Sequence, residues 1–247
     1  MNIDFSEKTV LITGGTRGIG LAIAVAFLKS KAQSVVITGT SEDFDLPGEL
    51  KYFNNLIYEP LDLLGQNSEK RIHEICENAG GFDICINNAG INRINCITEF
   101  SCSDMEDVLK VNLVAPAMIS SIVSTHMIKN QYGRIINISS IFGEVSKEKR
   151  SNYSSSKAGL IGQTQAIALD LAPHGILVNS VGPGFIGTDL TKKVLGEKGI
   201  KEMTSQVPLG RLGEPKEIST IVLFLASSQN SFITCLLYTS DAADDSL

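Results

Sequence analysis

Thr13-Gly14-Gly15-Thr16-Arg17-Gly18-Ile19-Gly20 is the stretch on which the reading of this chain turns. The apolar run Val10-Leu11-Ile12 precedes it and reads as a buried parallel strand. Leu21-Ala22-Ile23-Ala24-Val25-Ala26-Phe27-Leu28 follows it and reads as a buried helix. A strand, a glycine turn and a helix in that order leave backbone N–H groups at a helix N-terminus, where they and the helix dipole attract a phosphate. Glycine is needed where the chain turns sharply and where a pyrophosphate approaches the backbone. The spacing is G-x-x-x-G-x-G rather than the commoner G-x-G-x-x-G. A tight turn without a ligand would use the same glycines, but the flanking strand and helix favour a nucleotide site.

Outward from that stretch, the composition narrows the class. The 247 residues suffice for one large α/β domain, and 43% of them are apolar. The net charge of −6 offers no basic excess to neutralise nucleic-acid phosphates. No apolar run reaches the length of a membrane span. Residues 1–8 lack the charged start and apolar core of a signal peptide. Cys76, Cys85, Cys96, Cys102 and Cys235 form no C-x-x-C pair, which fits free thiols in a reducing cytoplasm. His73, His126 and His174 are scattered, so no metal site is expected.

Strand and helix patterns alternate along the chain. Val35-Val36-Ile37-Thr38, Leu56-Ile57-Tyr58-Glu59, residues 82–87, residues 134–139 and Leu177-Val178-Asn179-Ser180-Val181 read as further strands. Residues 70–78, 154–171 and 215–226 read as helices, and 103–129 as two helical segments separated near Pro116. Parallel strands joined by right-handed helical crossovers form a doubly wound parallel sheet in three α/β/α layers. The expected domain spans 1–239. In such sheets the ligand lies at the carboxyl ends of the strands. The loops after Ile12, Thr38, Asn87, Ile138 and Val181 therefore share one rim.

If the nucleotide is a dinucleotide, the end of the second strand meets its adenosine ribose. An acidic residue there would repel a 2′-phosphate, but this chain has Thr38-Gly39-Thr40-Ser41. Thr40 and Ser41 can donate to phosphate, and Arg17 can supply the positive charge. NADP(H) is therefore expected over NAD(H), although Glu42 and Asp43 follow closely. Asp62, with Leu63, ends the third strand; it either accepts from the adenine amino group or caps the next turn.

Tyr153-Ser154-Ser155-Ser156-Lys157 places a tyrosine and a lysine on one helix face. A free tyrosine titrates near pH 10, and a neighbouring ammonium brings it toward the working range. Ser139-Ser140 ends the fifth strand on the rim, where a serine hydroxyl can hold a carbonyl oxygen. Hydride addition to a carbonyl needs a hydride donor at carbon and a proton donor at oxygen. A serine-hydrolase reading of Ser140 lacks both the G-x-S-x-G turn and a placed histidine.

These residues carry a resemblance. The chain is similar to the one-domain short-chain dehydrogenases/reductases, which are Rossmann-like. The markers are TGGTRGIG at 13–20, NNAG at 87–90, Asn112 in Val111-Asn112-Leu113, Ser140 thirteen residues before Tyr153, YSSSK, and Pro183-Gly184-Phe185-Ile186-Gly187-Thr188. The resemblance implies a catalytic tetrad of Asn112, Ser140, Tyr153 and Lys157. Tyr153 would exchange the proton and Ser140 orient the carbonyl. Lys157 would bind the nicotinamide ribose and lower the tyrosine pKa, while Asn112 would hold a relay water. Gly14, Thr16, Arg17, Gly18, Ile19 and Gly20 would cradle the pyrophosphate side. Asn88, Ala89 and Gly90 would line the adenosine side, Pro183 and Gly184 would belong to the loop over the nicotinamide, and Ile186 and Thr188 would bind its carboxamide. A tetramer or dimer would form through two long helices, 111–129 and 154–171.

Within the family, GRIINISS, KAGLIG, PGFIGTDLT and QVPLGRLGEPKEI resemble 3-oxoacyl-[acyl-carrier-protein] reductases, and the same segments recur in sugar, polyol and steroid reductases. Where arginines beside the cleft would meet an acidic carrier protein, this chain has Gln131 and His174, with Lys129 near. The loop 143–150 borders the pocket, Asn92-Arg93 could face the substrate, and 191–206 is expected to form a mobile lid. After Ile233-Thr234-Cys235, residues 236–239 could form a last strand. Residues 240–247 depart from the family pattern and are expected to be poorly ordered. The activities open at this point are an NADP(H)-dependent carbonyl reductase, a sugar or alcohol dehydrogenase working oxidatively, and a nucleotide-binding protein without turnover.

Overall fold

In a computed structural model describing residues 3–205 and 207–240, the run before the glycines is strand β1, Thr9–Ile12. Val10, Leu11 and Ile12 are fully buried, as a strand covered on both faces requires. Six more strands join it: β2 Ser34–Gly39, β3 Leu56–Pro60, β4 Ile84–Asn87, β5 Gly133–Ile138, β6 Ile176–Gly182 and β7 Leu237–Thr239. Their order is β3-β2-β1-β4-β5-β6-β7, and every pairing is parallel.

Alternation along β1 divides the core. Val10 and Ile12 pack with Ile23 and Phe27 of α1, Gly18–Lys29, and with Ile218 and Val222 of a late helix, Pro215–Ala226. Leu11 points to the other face and joins Ile72 and Ile75 of α2, Ser68–Asn78, and Ile119, Val123, Ala168 and Leu171 of two long helices. The result is the expected three-layer, doubly wound sheet. Phe27 meets Phe5 edge-on at 4.8 Å, and the pair closes the outer end of the first core. A fully buried phenylalanine of this kind contributes about 3–5 kcal/mol against truncation to alanine.

The segment 103–129 folds differently from its reading. α3 (Cys102–Leu109), a π-helical turn (Lys110–Val114) and α4 (Ala115–Asn130) form one continuous helix. Pro116 does not end the helix; it lies one residue beyond the π turn, inside the continuous helix, where its missing N–H leaves the Asn112 carbonyl without an α-helical donor. The preceding π turn takes up the misfit, with Ala115 N donating five residues back to Lys110 O. Contrary to the reading of the apolar runs, the helix Cys102–Asn130 is long and apolar enough to cross a bilayer. Here Val108, Val111, Ile119, Val123 and Met127 are buried in the domain, four of them in the second core.

α5 spans Ser151–Leu171, α6 Asp189–Ser205 and α7 Pro215–Ala226. The segment read as a lid is thus mostly helix, broken at Gly196, where φ is +61°. β7 forms, and Ser240 is held rather than loose: its N–H donates to Gly182 O at 3.1 Å, and its Oγ accepts from Gly184 N at 3.1 Å. Residues 241–247, the rest of the expected tail, lie outside the described residues.

The chain turns from β1 to β2 and β3 on one side, then crosses to β4 on the other. Ile12 stands beside Ile37 and Ile86, Asn87 beside Asn137, and Ile138 beside Val181. The loops after these residues share the carboxyl rim, as expected.

Candidate active site

The glycine turn is fastened to the rim by Thr13. Its buried Oγ1 accepts from the Asn88 and Ala89 N–H groups, both at 3.0 Å. Asn88 Nδ2 donates back to Thr13 O at 2.9 Å and to Gly14 O at 3.0 Å. Asn88 thus locks the turn with its side chain, a task its place in the motif did not reveal. Gly14 and Gly18 have φ of +63° and +56°, a region that favours glycine. A Cβ on Gly20 would lie 2.3 Å from Gly14 O, so no other residue fits there without displacement.

α1 begins at Gly18 with no side-chain cap from Arg17 and no acidic residue in its first turn. Its leading N–H groups have no partner within the helix, and its dipole favours an anion. Thr188 faces this turn from the opposite loop: its methyl would be 3.4 Å from a Cβ on Gly18. The cradle, the uncapped N-terminus and the facing loop fit a dinucleotide pyrophosphate, with Ile19 just inside the helix.

Arg17, in the glycine turn, and Thr40, after β2, are both exposed, and Arg17 has no ion pair among the described residues. Thr16 packs toward the end of β2, where a Cβ on Gly39 would be 2.7 Å from its methyl. Ser41 Oγ instead donates to Asp43 O at 2.7 Å, a loop contact. Asp62 Oδ1 accepts from Leu64 N at 2.9 Å, which realises the turn-capping alternative, and Leu63 is buried.

Tyr153 and Lys157 lie one turn apart on α5, and Ser140 follows β5. Ser140 Oγ accepts from Phe142 N at 3.2 Å, its hydroxyl favours the ionised form of the Tyr153 phenol, and the Tyr153 ring meets Phe142 edge-on at 6.5 Å. The adjacent Ser139 instead donates to Lys157 O at 3.1 Å, bracing the helix. Lys157 is only 3% exposed; its Nζ donates to Ile138 O at 2.7 Å and lies 5.7 Å from the Tyr153 ring centre. Burial brings Lys157 down to about 8.

The direction at Tyr153 runs against the sequence expectation. Burial raises its pKa; the Ser140 hydroxyl and the Arg150 charge oppose that rise. The cation acting on the phenol here is Arg150. Lys157 is turned to a backbone carbonyl, and its own charge is weakened by desolvation.

Asn112 lies in the π turn and is fully buried. Its Oδ1 accepts from Ile91 N at 2.8 Å, while Nδ2 donates to Ile91 O at 2.9 Å and Ser156 Oγ at 3.0 Å. Both Nδ2 protons and one Oδ1 lone pair are thus engaged in holding Ile91 and Ser156, and the main-chain carbonyl is the less committed acceptor. That carbonyl lacks its α-helical donor because the residue four positions on is Pro116. A Cβ on Gly90 would stand 3.4 Å from Asn112 Oδ1 and 3.6 Å from Lys157 Nζ, so the bare glycine is where these groups converge.

The loop after β6 closes the site. Ile141 N donates to Pro183 O at 3.1 Å, Phe185 meets Phe142 at 6.0 Å, and Ile186 bridges to Gly213. Thr188 Oγ1 accepts from Thr191 N at 3.1 Å, starting α6. A cavity of about 290 Å³ adjoins this loop between Gly184, α7 and Ser240, but none of Asn112, Ser140, Tyr153 and Lys157 lines it.

Two features correct or extend the sequence reading. The Gln131 backbone lies against Gly175, the residue after His174, since a Cβ on Gly175 would be 2.7 Å from Gln131 O. Gln131 and His174 precede β5 and β6, however, at the sheet edge opposite the rim. A buried chain from Asn87 to Asn137 (2.8 Å) and Asn137 to Thr164 (2.8 Å) ties β4, β5 and α5 together. Its sequence signal is a polar residue inside the apolar run of β5.

Residues 8–199 match the short chain dehydrogenase family, and the chain belongs to that family. It is an oxidoreductase acting on CH–OH groups. Among its relatives, the 3-oxoacyl-[acyl-carrier-protein] reductase FabG of Aquifex aeolicus is 44% identical over 95% of this chain and 96% of its own. The protein of the same name from Vibrio cholerae is 38% identical over 95% of each. The solved structure of ElxO with NADP bound superposes with a TM-score of 0.86 at 31% identity, covering 95% of this chain and 97% of that one.

Proposed function

We propose that this protein is an NADPH-dependent reductase of 3-oxoacyl thioesters, built on Asn112, Ser140, Tyr153 and Lys157. The observation that carries the reading is the position of Ser140 at the end of β5 and of Tyr153 and Lys157 one turn apart on α5, with Lys157 Nζ held to Ile138 O at 2.7 Å on the rim shared with the glycine cradle. A bound reduced nicotinamide would supply the hydride to the carbonyl carbon. Ser140 donates a hydrogen bond to the carbonyl oxygen, and Tyr153 gives that oxygen its phenolic proton. The raised phenol is fully protonated at neutral pH, as a proton donor must be. Lys157, brought to about 8, can return a proton toward the phenolate, with the Asn112 carbonyl holding a water on that route.

Arg17 and Thr40 would meet a 2′-phosphate, which favours NADP(H) over NAD(H). The likeness to 3-oxoacyl-[acyl-carrier-protein] reductases and to ElxO, solved with NADP bound, supports substrate class and cofactor alike. An acyl carrier protein would deliver the substrate in the cytoplasm. Leu169 and Val114, 71% and 56% exposed on the α5 and π-turn surface, suit a homodimer or tetramer formed through the long helices.

The test is NADPH oxidation with an acetoacetyl thioester against ketoses and simple ketones. The thioester should have the highest kcat/KM. Faster turnover of a ketose, or of NADH over NADPH, would overturn the corresponding part of the reading.

A further inference from the structure

Arg150 immediately precedes α5 and is a charge of the site whose hydrogen-bonding capacity is left open. Its Nε and Nη1 are buried and have no hydrogen-bond partner. No carboxylate among the described residues pairs with it. Arg150 as a residue is half-buried, but leaving these two guanidinium nitrogens buried and unpartnered is unfavourable unless acceptors come from outside the chain.

Its position says which acceptors. Arg150 closes the loop that runs from Ser140 to α5 and precedes Tyr153 by three residues. As the N-cap residue of α5, Arg150 lies at the start of the helix turn that carries Tyr153. Its charge also reaches the Tyr153 phenol. An acceptor for Arg150 therefore belongs to the molecule whose carbonyl Tyr153 protonates, a short distance along that molecule. Two oxygens separated by one carbon between their carbonyls suit this spacing, and a simple ketone would leave the donors empty. The planar fork of a guanidinium matches a planar, delocalised oxygen group.

We infer that Arg150 selects 1,3-dicarbonyl substrates by donating to the second oxygen function, the thioester carbonyl or carboxylate beyond the reacting ketone. The inference rests on the reductase reading above and names the residue that would give it substrate preference. The sequence offered no signal for it beyond a mixed-charge loop.

The test uses the full chain with NADPH and three substrates: acetoacetyl-N-acetylcysteamine, acetoacetate and cyclohexanone. In Arg150→Met, the ratio of kcat/KM for the dicarbonyl to that for cyclohexanone should fall about ten- to hundredfold, mainly through KM. Arg150→Lys should recover part of it, and Arg150→Leu, which also lacks a donor, should show the same loss should the methionine variant fail to fold. A loss confined to the thioester identifies a carbonyl as the ligand, and a loss confined to acetoacetate identifies a carboxylate. An unchanged ratio overturns the inference. So does a uniform loss on all three substrates with the pH profile moved upward, which would make Arg150 only a positioning charge for Tyr153. Failure of the reductase reading is visible in the unaltered protein. Reduction of cyclohexanone or ketoses with neither acetoacetyl compound accepted would overturn both, whereas thioester reduction by Arg150→Met at the original ratio overturns Arg150 alone.

Discussion

Pro116 stands four residues after Asn112, so the Asn112 carbonyl has no N–H to accept from at α-helical spacing. The π turn takes up that misfit, while the Asn112 side chain is held by Ile91 and Ser156. A helix defect is thereby set beside Gly90 and Lys157.

Pro116→Ala restores the missing donor. We expect stability to rise by about 1–2 kcal/mol, part of the usual proline deficit in a helix. We expect kcat to fall about tenfold as the π turn relaxes. Urea denaturation and steady-state kinetics check the two together. Equal kcat would show that the carbonyl has no part in turnover.

Tyr153→Phe removes the only proton on the phenol and leaves the Phe142 contact intact. The expected loss in kcat is about 10²–10⁴, with circular dichroism unchanged. Persisting reductase activity would remove Tyr153 from the chemistry.

Lys157 makes stability depend on pH. Its folded pKa, about 8, lies below the unfolded value of 10.5. Between those values the unfolded chain binds more protons, so this group's contribution to stability rises with pH across that window. Below about pH 8 the folded state bears the whole desolvation penalty. Lys157→Met should therefore stabilise the protein at pH 7 by about 1–3 kcal/mol, with the gain shrinking toward pH 10. Tyr153 works oppositely above pH 10, because its folded pKa is raised. Denaturation midpoints at pH 7, 8.5 and 10 in Tyr153→Phe and Lys157→Met backgrounds separate the two groups.

Arg17→Ala should move the kcat/KM ratio about tenfold from NADPH toward NADH, since a charge-assisted contact to phosphate is lost. Fluorescence titration with each nucleotide checks the binding part. A ratio equal to that of the unaltered chain would leave Thr40 as the candidate.

The layered sheet was legible because its signals are local. Val10-Leu11-Ile12 has no polar alternation, the glycines follow at once, and the pattern repeats along the chain. Ser140, Tyr153 and Lys157 were legible for the same reason: strand end and helix spacing place them on one rim and one face. Sequence by itself thus determined the fold class, the rim and the identity of the groups on it.

Tertiary structure decided what each group experiences. Whether the Tyr153 pKa rises or falls depends on desolvation and on which cation is near, and neither is encoded in a four-residue spacing. The burial of two Arg150 nitrogens without acceptors, the lock of Asn88 on Gly14 and the opposite-edge position of Gln131 all arise from long-range packing. Charge energetics follow the distances and dielectric that packing creates, and these come into being only when distant segments meet.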